Sequence, residues 1–155
     1  KYNSYLKTVS GYASTLKACS HLYDDGVRIF INLCDLKKAI SQNPQGIVAT
    51  MSMNNLYIET ATELITVYSI LKDAVAKGGA SNMLTGAERS KILWELNDRL
   101  AQFNKRLSQL SISIRYYTMA DIWNRVTAGM IDRNTAEIAG QALDRWHRCA
   151  RIVTP

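Results

Sequence analysis

Apolar and small residues recur with a helical period from the start of the chain, at Tyr5, Val9, Tyr12, Leu16, Cys19, Tyr23, Val27, Phe30, Leu33 or Cys34, Leu36 and Ile40. Asp24-Asp25-Gly26 could end a first helix, since glycine costs about 1 kcal/mol relative to alanine inside one. The apolar phase resumes beyond it on the same face, so the pattern predicts one long helix over Tyr2 to Ile40. Ser41-Gln42-Asn43-Pro44 stops it, because the residue before a proline is pushed out of the α region. Gln45 to Lys77 follows with Tyr57, Ala61, Leu64, Tyr68, Leu71 and Val75 on one helix face, widened by Ile58, Ile65 and Ile70. Gly78-Gly79 marks the end of this second helix.

Ala80 to Leu84 reads as a loop, and Thr85-Gly86-Ala87-Glu88 carries the T-x-x-E pattern of a capping box. Leu93, Leu96, Leu100, Phe103, Leu107, Leu110, Ile114 and Tyr117 then alternate in steps of three and four without a break. That pattern predicts a long helix from Gly86 to Tyr117, lying nearly parallel to its neighbours as in a bundle. Thr118 with Asp121 starts a shorter helix through Ile122, Trp123 and Val126 to about Met130, with Gly129 at its end. Asn134 with Glu137 starts another, through Ile138, Ala142, Leu143, Trp146 and Cys149 to Ile152. The expected fold is all-α: a bundle of three long amphipathic helices followed by two short C-terminal helices. Strands find no support, since no run of five or more residues alternates between β-branched and polar.

At 155 residues the chain has the length of one domain, and we expect a single helical domain over residues 1–155. Its 47% hydrophobic and 21% charged residues are those of a globular protein, not a disordered one. No apolar stretch reaches the roughly 18 residues of a membrane span. The net charge of +6 favours acidic partners without choosing among nucleic acid, lipid headgroups and protein. The excess leans C-terminal and is mostly arginine there. Cys19, Cys34 and Cys149 form no C-x-x-C pair. On one continuous helix, Cys19 and Cys34 would lie roughly 22 Å apart, beyond the ~7 Å limit for a bridge. Buried, reduced thiols are the expected state, with a bridge to Cys149 as the remaining alternative.

Nothing in the sequence composes an active site, and no catalytic, cofactor-binding or metal-ligating residue is assigned. His21 and His147 fall in different helices, with no H-E-x-x-H pattern and no Cys/His cluster. His21 could share a proton with Asp24 or Asp25, yet no nucleophile accompanies it. Glu59 and Glu63 lie one helical turn apart but lack the Glu-x-x-His partners of a di-iron bundle, and read as a solvated face. No glycine-rich phosphate loop occurs. The residues set aside as a possible partner contact are Arg145, Trp146, Arg148 and Arg151, which crowd the last helix with His147. Contact with an anionic partner competes there with the ordinary preference for cations near a helix C-terminus. The two short helices also permit a helix-turn-helix reading, although the second has Ile138, Leu143 and Trp146 to bury and little in its first turns to read bases. Trp94, Trp123 and Trp146 are expected in the core, with interface anchoring as the other reading.

Three stretches together carry a resemblance: Asn43-Pro44-Gln45-Gly46-Ile47-Val48, Met83-Leu84-Thr85-Gly86-Ala87-Glu88-Arg89, and Ser113-Ile114-Arg115-Tyr116-Tyr117 through Trp123. They resemble a family of small conjugal-transfer (plasmid transfer) proteins encoded by conjugative transposons of Bacteroides-type bacteria, over about Tyr5 to Arg151. The resemblance implies a non-enzymatic helical accessory component of a type IV secretion-like DNA-transfer apparatus, made with an export signal and acting in the cell envelope or periplasm. A sequence that begins at Lys1 rather than methionine fits removal of such a signal, and a cytoplasmic home stays open. Other transfer-apparatus proteins are the expected partners. The competing expectation is a nucleic-acid-binding accessory factor that uses the basic C-terminal helix.

Overall fold

The computed structural model describes residues 2–77, 86–128, 130 and 134–150. They form six helices in chain order: α1 (Tyr2–Gln42), α2 (Gly46–Met53), α3 (Leu56–Lys77), α4 (Gly86–Tyr116), α5 (Met119–Val126) and α6 (Thr135–Ala150). No strand occurs among the described residues, so the all-α expectation holds. The expected single helix over Gln45 to Lys77 is instead two, α2 and α3. Asn54 breaks it: its backbone is extended, its side-chain carbonyl accepts the Leu56 amide, and its side-chain amide donates to the Ser113 hydroxyl. An asparagine that satisfies the next helix's first donors competes with continuing the previous one. The expected helix to Met130 stops at Val126, and the last helix is followed to Ala150. Gly78-Gly79, the 80–84 loop, Thr85 of the capping box, Gly129, Arg151 and Ile152 lie outside the described residues.

The chain packs as two compact units, Lys1–Ile31 with Thr60–Lys105, and Asn32–Glu59 with Arg106–Pro155. In the first, α1 and α4 run parallel in a fixed register. The Asn97 amide donates to the Ala18 carbonyl and the Asn104 amide to the Asp25 carbonyl, each at 3.0 Å across 79 residues of sequence. Near the start, the Ser14 hydroxyl meets that of Ser90 and accepts from the Trp94 indole. The face of α1 that turns to α4 is therefore built on Ser14, Ala18 and Asp25. Ala18 is fully buried, and a small side chain there lets a short asparagine reach the facing backbone.

This corrects the expected core face of α1 over the part that lies in the first unit. Val9, Tyr12, Leu16, Tyr23, Val27 and Phe30, the apolar stripe of the sequence, are exposed, and so are Cys19 and Cys34, which are free thiols and not buried ones. In α3, Leu64, Ile65, Tyr68, Leu71 and Val75 are exposed while Thr60 and Val67 are buried. The α4 stripe behaves as expected, with Leu96 and Phe103 buried in this unit and Leu107, Leu110 and Ile114 in the other.

The second unit has a conventional apolar core. Ala39, Leu110 and Ile114 are buried, and Leu36, Ile40, Ile47, Leu56 and Tyr57 pack against them. Ile114, 1% exposed, contributes roughly 1.5–3 kcal/mol by leaving water. At the turn from α1 to α2, Gly46 lies against the end of α4 so closely that a Cβ there would stand 1.8 Å from the Ile114 carbonyl oxygen. No other residue type permits this approach. In the same turn the Asn43 amide donates to the carbonyls of Ile114 and Tyr117, two acceptors that the end of a helix leaves without intrahelical donors.

Candidate functional site: the α5–α6 face and its carboxylate anchor

The C-terminal end of α4 delivers the chain into Thr118, whose extended backbone caps α5. Asp121, one turn into α5, is buried, and its carboxylate accepts from the Thr118 amide at 2.8 Å and the Thr118 hydroxyl at 2.9 Å. Two guanidinium groups of α6 converge on the same carboxylate, Arg145 on one oxygen and Arg148 on the other, each at 3.6 Å. Arg148 also donates twice to the Tyr116 carbonyl, at 3.0 and 3.3 Å. Arg145 lies over the Tyr116 ring and bonds the Gln141 carbonyl of its own helix. A buried carboxylate needs such partners, and the α4 terminus gains a cation where its dipole is negative.

Arg145 and Arg148, expected as possible partner contacts, are thus brought together, and they point inward. Arg151 lies outside the described residues. Trp146, between them in sequence, faces the other way and is 65% exposed, with its ring 5.7 Å from that of His147. Trp123 of α5 is 63% exposed, as are, to a lesser degree, Ile138 and Leu143 of α6. The core position expected for Trp123 and Trp146 is therefore corrected, because the arginine anchor fixes which side of α6 faces in. Trp94 alone of the three is half-buried, donating to Ser14 and lying 5.6 Å from the His21 ring.

Elsewhere in the same unit, Arg125 caps the end of α2 by donating to the carbonyls of Ser52 and Met53, which holds α5 against α2. An open cleft of about 440 Å3 is lined by residues that include Asn55, Glu59, Arg106, Ile112, Tyr116 and Tyr117. Glu59 there is paired with Arg106 at 2.7 Å, and in the other unit Glu63 faces Arg99 at 3.8 Å. The two glutamates so lie in separate ion pairs. No group of three or more His, Cys, Asp or Glu positioned to hold a metal occurs among the described residues, nor does a helix long and apolar enough to cross a membrane. The burial of the Tyr57 hydroxyl raises its pKa above the ordinary value of 10.0.

What these elements define is an all-helical protein whose most concentrated polar network joins its own helices. Comparison with protein-family models, with curated proteins and with solved structures found no match. Sequence reasoning finds Arg145 and Arg148 but misses Asp121 as their target. The signal is present in Thr118-x-x-Asp121, which by itself reads only as a helix start.

Proposed function

We propose that the protein is a non-enzymatic structural component of a conjugative DNA-transfer apparatus, working through helix-face contacts with other apparatus proteins in the cell envelope. The observation that carries the reading is the pairing of a rigid anchor with uncovered tryptophans. Asp121 holds α6 to α5 through Arg145 and Arg148, while Trp123 and Trp146 stand in solvent. Exposed tryptophans on a fixed scaffold are the residue type that dominates protein–protein interfaces. The resemblance in the three sequence stretches supplies the apparatus.

The nucleic-acid reading draws less support, because two of its three arginines are ion-paired with Asp121 and Arg148 also donates to the Tyr116 carbonyl. A donor strain in which the gene is deleted and replaced by a Trp123→Ala/Trp146→Ala copy tests the proposal. Transfer frequency should fall at least tenfold while the variant protein retains its helical spectrum, and the wild-type protein should co-purify with envelope transfer components where the variant does not. Unchanged transfer on deleting the gene would sink the reading, as would salt-dependent DNA binding lost on changing Arg145, Arg148 and Arg151 together.

A further inference from the structure

The first unit carries an apolar surface whose chemistry suits a second copy of itself. On α1, Tyr12, Leu16, Tyr23 and Phe30 are each between 68% and 73% exposed, and Val9 and Val27 between 43% and 47%. These six recur in steps that keep them on one side of the helix, opposite the Ser14, Ala18 and Asp25 face that meets α4. Between them lie Ala13, Cys19, Ser20 and Gly26, small residues that are also exposed. A ridge of large apolar residues interleaved with small ones, with no charge along its centre, is the surface a second helix packs into.

Area and charge select the occupant. With aromatic side chains presenting about 150–250 Å2 each, the exposed fractions amount to roughly 600–700 Å2, close to the ~800 Å2 per partner of a standard two-protein interface. The stripe also reads the same in both directions about a point between Cys19 and Ser20: Val9 and Phe30, Tyr12 and Val27, and Leu16 and Tyr23 are equidistant from it. An antiparallel pair centred there sets Val9 against the partner's Phe30, Tyr12 against the partner's Val27 and Leu16 against the partner's Tyr23, twice each by symmetry. Lys17 and Asp24, both exposed and seven residues apart, lie on one edge of the stripe. Antiparallel pairing brings Lys17 beside the partner's Asp24, whereas parallel pairing leaves both without an opposite charge. The surface is thus self-complementary under a two-fold axis, the commonest symmetry of soluble oligomers.

We propose that the protein forms a two-fold dimer through antiparallel packing of the Val9–Phe30 stripe of α1 on its counterpart in a second copy, with Cys19 of each chain at the axis. The proposal does not rest on the transfer-apparatus reading, since it concerns the chain alone. The full chain should sediment as a dimer at micromolar concentration. Copper–phenanthroline should cross-link it through Cys19, an effect lost in Cys19→Ser and kept in Cys34→Ser. Leu16→Glu with Tyr23→Glu, both at exposed positions, should raise the dimer Kd by about a hundredfold or more with an unchanged helical spectrum.

Orientation is read in a background with all three cysteines changed to serine. There, a mixture of Tyr12→Cys and Val27→Cys chains should cross-link, and Tyr12→Cys chains alone should not. A wild-type monomer overturns the proposal. So does self-cross-linking of Tyr12→Cys, which would mean parallel packing, and so does a dimer insensitive to the α1 glutamates but broken by Tyr68→Glu on α3.

Discussion

The Asn43 side-chain amide donates to the Ile114 carbonyl at 2.7 Å, and Gly46, three residues on, approaches the same carbonyl too closely for any side chain. One carbonyl at the end of α4 therefore fixes both the end of α1 and the start of α2. Gly46→Ala should destabilise the protein by about 3 kcal/mol or more, because a backbone atom cannot rotate aside. Asn43→Ala should cost about 1–3 kcal/mol by leaving buried acceptors without their donor. Urea denaturation of the two variants checks both values, and a Gly46→Ala protein as stable as wild type would contradict the packing.

Asp121 should matter to α6 more than to any other helix. Asp121→Ala removes the acceptor for Thr118 and the counter-charge of two arginines, and is expected to cost about 2 kcal/mol. Amide exchange over residues 135–150 should accelerate more than exchange in α4. Asp121→Asn keeps an acceptor for Thr118 but loses the charge, and its stability should fall between those of the wild type and the alanine variant.

Tyr57 links stability to alkaline pH. Burial favours its neutral form, so its folded pKa lies above the unfolded value of 10.0. The unfolded chain ionises first as pH rises. The contribution of Tyr57 is thus fully present below about pH 10 and is lost as pH climbs through the folded pKa. Tyr57→Phe should remove that part of the alkaline loss, seen as a flatter dependence of the melting temperature between about pH 9 and 11, the range that brackets an ordinary tyrosine. At neutral pH the substitution should raise stability by up to about 1 kcal/mol, since the buried Tyr57 hydroxyl has no hydrogen-bond partner.

Thr50 is fully buried in α2 and its hydroxyl is without a partner. Thr50→Val keeps the shape and removes the unsatisfied group, and should stabilise the protein by about 1 kcal/mol. A loss of stability on thermal unfolding would show that the hydroxyl does have a partner.

How far these features can be read from the sequence depends on whether burial follows side-chain size. Along α4 it does, and Leu96, Phe103, Leu107, Leu110 and Ile114 lie buried as their spacing predicts. The Asn43-Pro44 stop and the Thr118–Asp121 start are equally legible, because they depend on local backbone chemistry. Along α1 the relation inverts as far as Leu33, while Leu36 and Ile40 pack into the core as expected. Its contact with α4 runs through Ser14, Ala18 and backbone carbonyls reached by Asn97 and Asn104, and periodicity weighted by hydrophobicity is blind to a face made of small residues and amides. Asn54 splits α2 from α3 for a similar reason, since part of its hydrogen bonding is to Ser113, far away in sequence. The Arg145 and Arg148 pair is visible, but its buried acceptor Asp121 is not, as nothing local marks a carboxylate for burial.

The register that joins Ala18 to Asn97 and Asp25 to Asn104 across 79 residues also sets an order of events during synthesis. At about 5–20 residues per second, the N-terminal helix emerges roughly 4–16 s before the asparagines that align it exist. Through that interval its aromatic side is as uncovered as it is in the folded single chain, while its small side has nothing to lie against. Contacts of such long sequence separation slow folding, so α1, made well before α4, is among the last helices to find its place, and a nascent neighbour on the same message can meet it before its own α4 does.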